Sequence, residues 1–530
     1  MMRNFKSAAA IFLAVVCAAG CLSGCEGKIN DNEKMEITWM GPPYYPNSTE
    51  GNYSEKLLEE KFNVEIKPVY FDEEAYKTKK PLMMSSGEIP DIVYEMDPAD
   101  VQGDVRQGLL CELPFETLKK YAPKLVAEIT DNEPAVWLYS NCNEKNYGLP
   151  NLFYSGDLPI VGVWRKDWLE NVGITKTPET IDEMHEAFLR FVNDDPDGNG
   201  KNDTYGMSGD MSAHYTTFSE IFGAYGSLPF NWIEKDGKPE YGGLQSETAD
   251  ALKTLAQWYG EGLIDPDFIT DSVVKNLDPK FKNGQNGYFN NMGQFAGSFD
   301  KSNSDSFIGI MKQINPKAEI VRATLPKGPD GKSGTFVWSK GGHIISLGKQ
   351  VKNDEAKMKK IFEMLEYMFT NQDFLAKLQA GEEGVHYNIE DDKGVVYIPP
   401  YNDSKERAKE LSSTGIAGSA FFGIVPAIPE TCNRFYSENT KKSNEELSKL
   451  NVMKDVFLKP DVVQGSDKYF KDIKNKQTVL MSEIIRGEKS ADSYVDEMAS
   501  IWKNNGGEEL DKSALEMIER KNEILKEIGN

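Results

Sequence analysis

The sequence predicts an α/β protein built as two lobes, and three observations carry that expectation. The chain has 530 residues, more than one hydrophobic core usually serves, so it should divide. Its first hundred residues alternate strand-spaced and helix-spaced segments, the pattern of βαβ units in a parallel sheet. Hydrophobic residues at 39% and aromatics at 11%, beside charged residues at 27%, are enough to build packed cores and exclude wholesale disorder. Asp+Glu 84 against Lys+Arg 60, a net charge of -24, would repel phosphate backbones and anionic lipid headgroups, so no nucleic-acid partner is expected.

Taken in order, the chain opens with Arg3 and Lys6, an apolar run from Ala8 to Ala19, and then small residues. That order is a secretory signal, and the run is too short to span a bilayer. Leu22-Ser23-Gly24-Cys25 looks like a bacterial lipobox, which sets residues 1–24 as signal peptide and Cys25 as a diacylated (palmitate-type) N-terminus on a tether over 25–35. Two acyl chains would hold the protein at the membrane's outer face. Beyond Cys25 only Cys111, Cys142 and Cys432 remain, an odd number, so disulfides do not define the fold.

Residues 35–40 alternate like a strand, and a Gly/Pro/Tyr/Asn-rich loop follows from Gly41 to Gly51. Ser54 to Phe62 has helical spacing, Val64 to Tyr70 reads as a strand, Glu74 to Ser85 as a helix and Ile89 to Tyr94 as a short buried strand. Ile160 to Leu169 is a strand running into a helix. Thr180 then stands as N-cap, with Glu183 as its capping-box partner, for a helix to about Val192. Further helices are expected over Thr248–Tyr259, over Asp354–Gln379 as one long element, and through the charged tail from Lys441 to Gly529.

The most specific motif is Asp195-Pro-Asp197-Gly-Asn199-Gly200-Lys201-Asn202-Asp203. Oxygen side chains recur at alternate positions, Lys201 offers its carbonyl, and Gly200 stands where a calcium loop turns sharply. The pattern departs at its last position, Gly206 in place of a bidentate Glu, so the expectation is one structural calcium on Asp195, Asp197, Asn199, Lys201 and Asp203. The alternative is an ion-free turn rich in Asx motifs.

Catalytic signatures are scarce. The four His residues show no H-E-x-x-H pairing, and there is no G-x-S-x-G elbow, Walker A loop or dinucleotide fingerprint. No enzyme activity is expected, although a glycosidase needs only two carboxylates at a separation the sequence does not reveal. Trp39, Tyr44, Tyr45, Tyr147, Trp232 and Trp338 lie at strand ends or in polar loops, where an apolar ring face suits a sugar, whereas Trp164 and Trp168 belong to the core. Asp97, Asn290 and Asn291 are candidate hydroxyl partners, the two Asn following the strand Gly287–Phe289.

Several stretches together resemble the family 1 extracellular solute-binding proteins of ABC importers, in the long lipoprotein branch of LipO-like and alginate-oligosaccharide-binding proteins. They are Ser86 to Ile92, Tyr147 to Pro150, Arg165 to Leu169, the Asp195 to Gly206 loop, Tyr259 to Pro266, Leu325 to Lys332 and Glu383 to Tyr387. The resemblance implies a periplasmic-binding-protein-like fold, two α/β lobes joined by crossing strands and closing on ligand at a hinge, and a calcium loop in one lobe. By analogy one lobe comprises 36–155 with 334–399 and the other 156–333 with 400–530. The implied function is a monomeric, non-enzymatic receptor at the cell membrane, handing an oligosaccharide to an ABC permease. The net charge of -24 favours a neutral sugar, and a peptide or other polar solute and a surface glycosidase remain alternatives.

Overall fold

The fold is described from a computed structural model covering residues 34–42, 50–272, 276–301, 303–390, 392–403, 405–407, 409, 416 and 433–529. The signal peptide, Cys25, most of the tether, Tyr44, Tyr45 and Cys432 lie outside the described residues.

The chain opens as a βαβ unit: β1 (Met35–Met40), α1 (Tyr53–Phe62) and β2 (Val64–Val69), the strands parallel with Ile37 opposite Ile66. Asn52 caps α1 by accepting the Glu55 N–H at 3.0 Å, and Asn63 ends it in the left-handed region at φ 52°. Asp72 caps α2 (Glu73–Ser85) in the same way, on Ala75 N–H at 2.6 Å. β3 (Ile92–Glu95) starts later than its apolar text suggests. Pro90 has no N–H to offer, and Asp91 spends its carboxylate on Thr38 N–H at 3.0 Å and Lys357 Nζ at 2.9 Å. α3 (Pro98–Arg106) follows directly.

The first sheet is completed by two strands distant in sequence, β4 (Gly148–Leu152) and, after the second sheet, β8 (Gly341–Leu347). Its order is β2-β1-β3-β8-β4, with β8 antiparallel to both neighbours. The second sheet is small and antiparallel: β5 (Val163–Arg165) lies between β6 (Tyr288–Phe289) and β7 (Ile320–Arg322). Around it stand α4 (Ile181–Asn193), α5 (Ser219–Tyr225) and α6 (Ser246–Gly260). Thr180 caps α4 as expected, accepting Glu183 N–H at 3.1 Å, but Glu183 reaches back to Glu179 N–H at 2.7 Å rather than to the cap residue itself. The long helix expected over Asp354–Gln379 is two helices, α7 (Glu355–Thr370) and α8 (Gln372–Ala380). Asn371 divides them, leaving helical geometry at ψ 101° and capping α8 through Phe374 N–H at 2.9 Å.

Three stretches run side by side between the sheets. Phe153 N–H donates to Lys340 O at 2.6 Å and Ile160 N–H to Phe336 O at 3.1 Å, so the segments before β5 and before β8 are paired. A third, which the sequence marks only by composition, joins them: Met453 N–H donates to Thr335 O at 2.9 Å and Ser339 Oγ to Leu458 O at 3.0 Å. Gly156 sits where a Cβ would stand 1.9 Å from Ser339 O, so only glycine permits this approach.

The tail is helical, as expected: α9 (Ser466–Ile485), α10 (Tyr494–Asn504) and α11 (Gly507–Gly529). α9 packs against both α3 and α6, so the tail touches elements around both sheets. Its core is aromatic, with Trp502 stacked on Tyr241 at 4.4 Å and Trp232 among Tyr241, Phe457 and Phe470. Trp164 and Trp168 are buried, and Cys111 and Cys142 are buried free thiols. The architecture is a two-lobed α/β fold. Among the described residues no helix is long and apolar enough to cross a membrane.

Candidate ligand cleft

Asp97 follows β3 and occupies the N-cap position of α3, yet its side chain caps nothing. Its carboxylate instead meets Lys459 Nζ at 3.2 Å. The side chain keeps 49% of its surface exposed. Burial is nevertheless the strongest influence on its pKa, the combination a group on the floor of a cleft would show. Burial pushes that pKa up; Lys459, then His343 and Lys474, outweigh it and hold the carboxyl below its ordinary value. His343, on β8, places Nδ1 2.8 Å from Met96 O and its ring 5.1 Å from Tyr94. Burial, aided by Lys459, pushes its pKa down to about 4, so it is neutral at physiological pH.

Tied to the same Lys459-Pro460-Asp461 segment is an aromatic group. Tyr215 stacks on Phe336 at 5.7 Å and meets the edge of Trp338 at 6.2 Å, and Phe336 and Trp338 lie 5.0 Å apart. Trp338 is 38% exposed. Tyr215 donates its hydroxyl to Asp461 at 2.8 Å, while Lys474 donates to that hydroxyl at 3.1 Å and to Asp461 at 3.2 Å. His214 lies 5.0 Å from Phe230, and burial, with Lys474, pushes its pKa down to about 4. Asn290, at the end of β6 with Asn291 after it, is tied to the residue that follows Tyr215. Asn290 donates to Thr216 O at 3.2 Å, Asn291 Oδ1 accepts Gln294 Nε2 at 2.6 Å, and Gly293 N–H meets the crossing segment at Val161 O, 2.8 Å away. Farther along that chain opens a cavity of about 950 Å³, walled by Ala296 and Phe299 on one side and by Val395, Tyr397 and Arg407 on the other. An exposed indole and an open, ionised carboxylate can together hold a polar ring by stacking and hydrogen bonds, although neither lines that cavity.

The sequence-derived candidates divide accordingly. Asp97, Trp338 and Asn290 gather about the Lys459–Asp461 and Tyr215–Thr216 segments, with Asn291 next to Asn290 in the chain. Trp39 does not join them: 1% exposed, it is registered against Pro68 and Ile92 inside the first sheet. Trp232 is likewise core, 0% exposed within the aromatic cluster of the tail. Both stand beside Gly, Pro or Asn, the neighbourhood that marked them as loop aromatics, but tertiary packing covers them. Tyr147, half-buried beside β4, has Glu112 and Lys145 as its charged neighbours. Tyr215, His343, Lys459, Asp461 and Lys474 escaped the sequence reading. Lys459-Pro460-Asp461 flanks a proline with opposite charges, the one local signal that could have flagged that segment.

The predicted calcium loop is wound on itself. Asp195 and Gly200 have positive φ, 48° and 78°, and Asp195 accepts Asn199 N–H at 3.0 Å and Gly200 N–H at 2.9 Å. Asn199 Nδ2 lies 2.8 Å from Asp197 and 3.0 Å from Asp203, so these side chains converge. The backbone bond from Gly200, foremost among several, keeps the Asp195 carboxyl low, whereas burial pushes Asp197 up. The donors are the hard oxygens calcium takes, and rotating the Asn199 amide would present its oxygen to the same centre. Among the described residues, however, no three His, Cys, Asp or Glu side chains are grouped closely enough to hold a metal.

Residues 45–373 match the family model described as bacterial extracellular solute-binding protein. Among curated proteins, the polygalacturonan/rhamnogalacturonan-binding protein YtcQ of Bacillus subtilis (strain 168) is 24% identical over 525 residues, 94% of this chain and 96% of that protein. Lipoprotein LipO of the same organism is 27% identical over 532 residues, 96% of this chain and 98% of its own. Among solved structures, the Streptococcus pneumoniae ABC-transporter substrate-binding protein FusA in complex with kestose superposes with a TM-score of 0.67 at 14% identity, over 92% of this chain and 99% of that one. Another FusA structure, with a TM-score of 0.66, is described as an EF-hand mutant. At such identities the superposition establishes the fold, and the family match over most of the chain establishes membership. The chain belongs to the bacterial extracellular solute-binding protein family.

Proposed function

We propose that this chain is a non-enzymatic receptor that captures an oligosaccharide between its lobes and delivers it to an ABC permease. The observation that carries this reading is that one segment, Lys459-Pro460-Asp461, ties Asp97, open and held ionised, to Tyr215, which lies against the exposed Trp338. A sugar ring has an apolar face for the indole and hydroxyls for the carboxylate. Relatives named for polygalacturonan and for kestose support a saccharide. The lobes are proposed as 36–155 with 334–399 and 156–333 with 400–530, closing by hinge motion at the paired segments. Asp195, Asp197, Asn199, Asp203 and the Lys201 carbonyl are proposed to hold one structural calcium, and Cys25 the lipid anchor at the outer membrane face.

The test is a thermal-shift panel of kestose, maltotetraose, trigalacturonate and a tetrapeptide, followed by chromatography of each binder for breakdown. Stabilisation by a saccharide without products is expected. Stabilisation by the peptide alone, or shortening of any sugar, overturns the reading. Mass spectrometry of the native N-terminal peptide decides the anchor, and an unmodified Cys25 rejects it.

A further inference from the structure

The third crossing segment does more than link the lobes. Lys459 and Asp461 stand two apart on it, on either side of Pro460, whose ring fixes the local backbone. Lys459 reaches Asp97 of the first lobe at 3.2 Å. Asp461 reaches the Tyr215 hydroxyl of the second lobe at 2.8 Å, with Lys474 closing the triangle at 3.1 and 3.2 Å. The segment is itself anchored: Ser339 Oγ donates to Leu458 O at 3.0 Å beside Trp338, and Gln102 Nε2 of α3 donates to Asp461 O at 3.0 Å. Both side chains are largely covered, Lys459 at 13% and Asp461 at 12% exposure, whereas Asp97 is open. The covered groups therefore face their partners, and the Asp97 carboxylate keeps an open face.

From this wiring we infer that Lys459 and Asp461 are the positioning residues of the ligand site, Lys459 orienting the Asp97 carboxylate and Asp461 fixing the Tyr215 ring against Trp338. The inference rests on the receptor reading above. Asp97 otherwise has no local restraint, since it does not cap α3, and removing Lys459 leaves it among acidic neighbours such as Asp100. The titratable groups acting on Asp97 are Lys459, His343 and Lys474, and of the three only Lys459 pairs with it directly. Orientation in advance spares the ligand the cost of ordering the site, which is why residues that never touch a ligand affect its affinity.

The test titrates the Asp97 carboxyl by ¹³C NMR in the full chain, with Asp97→Asn assigning the signal, beside Lys459→Met, Lys459→Arg and Asp461→Asn. In the unmodified chain the signal should titrate below the ordinary Asp range, move up in Lys459→Met and return toward its starting position in Lys459→Arg. Affinity for kestose and for trigalacturonate is measured across pH on the same samples. For whichever sugar binds, affinity should fall as Asp97 protonates, and the fall should begin at higher pH in Lys459→Met. Asp461→Asn should weaken binding about tenfold at every pH and leave the Asp97 titration in place. An Asp97 signal that ignores Lys459→Met, or affinities unchanged in both variants, overturns the inference. Failure of both sugars to bind, with the titrations as expected, instead counts against the saccharide reading, and the orienting role of Lys459 stands.

Discussion

Replacing Glu220 with Gln should make stability less dependent on pH. Glu220 lies on α5, 1% exposed, where it accepts the Gly162 N–H at 2.8 Å and the Tyr288 hydroxyl, fastening the chain at its entry to the second sheet. Burial raises its pKa from 4.5 to about 7, against the opposing pull of those two hydrogen bonds. Between those values the folded chain holds a proton that the unfolded chain has released, so the group's contribution is complete below 4.5 and is lost as pH rises through 7. An interval of about 2.5 pKa units corresponds to roughly 3 kcal/mol of lost stability by pH 8. Gln stays neutral, its oxygen accepts from Gly162, and its amide can donate to the Tyr288 hydroxyl. Glu220→Gln should therefore melt within a degree of the parent at pH 5 and about 3 °C above it at pH 8, taking about 2.1 cal/mol/K of unfolding entropy per residue. Calorimetry at both pH values is the assay. Asp455, raised to about 7 by its own burial, titrates alongside and remains in both proteins, so the difference isolates Glu220. A difference that is the same at both pH values, or that favours the parent at pH 8, refutes the argument.

Three further outcomes are expected. Gly156→Ala places a Cβ against the Ser339 carbonyl, backbone against backbone with nothing flexible to yield, and should cost ~2–4 kcal/mol in chemical denaturation; a neutral result removes the close crossing. Chelation should lower the melting temperature, and Asp197→Ala should abolish that response; a curve indifferent to calcium in the parent rejects the site. Trp338→Ala and Asp97→Ala should each weaken saccharide binding by ~1–3 kcal/mol, about 5–150-fold, with little change in melting for the exposed Trp338; wild-type affinity in both would move the site elsewhere.

Local chemistry was legible where a residue acts on its neighbours. The first βαβ unit, the Thr180 cap of α4 and the inward-turned Asp195 loop all follow from spacing within a few residues. Asn371 was legible in principle, since an Asn that can cap the next helix competes with the helix it interrupts, but apolar spacing on both sides concealed the break. Nothing local tells an aromatic beside a ligand from one beside a distant helix. Trp232 and Trp338 have similar surroundings in the chain, and it is packing against Tyr241, Phe457 and the tail helices α9 and α10 that buries the first. The ties of Lys459 to Asp97 and of Asp461 to Tyr215 join residues 362 and 246 positions apart, a pairing that emerges only when the third segment lies beside the other two.

Equilibrium dialysis of the full chain against the saccharide that stabilises it, with the bound fraction recovered by denaturation and weighed by mass spectrometry, tests whether the protein holds a saccharide and leaves it unchanged. One saccharide per chain should be bound and recovered at its original mass, and that bound fraction should be lost when Trp338 and Asp97 are both replaced by Ala. Recovery of shortened sugar, or full occupancy in the double variant, would contradict the receptor reading.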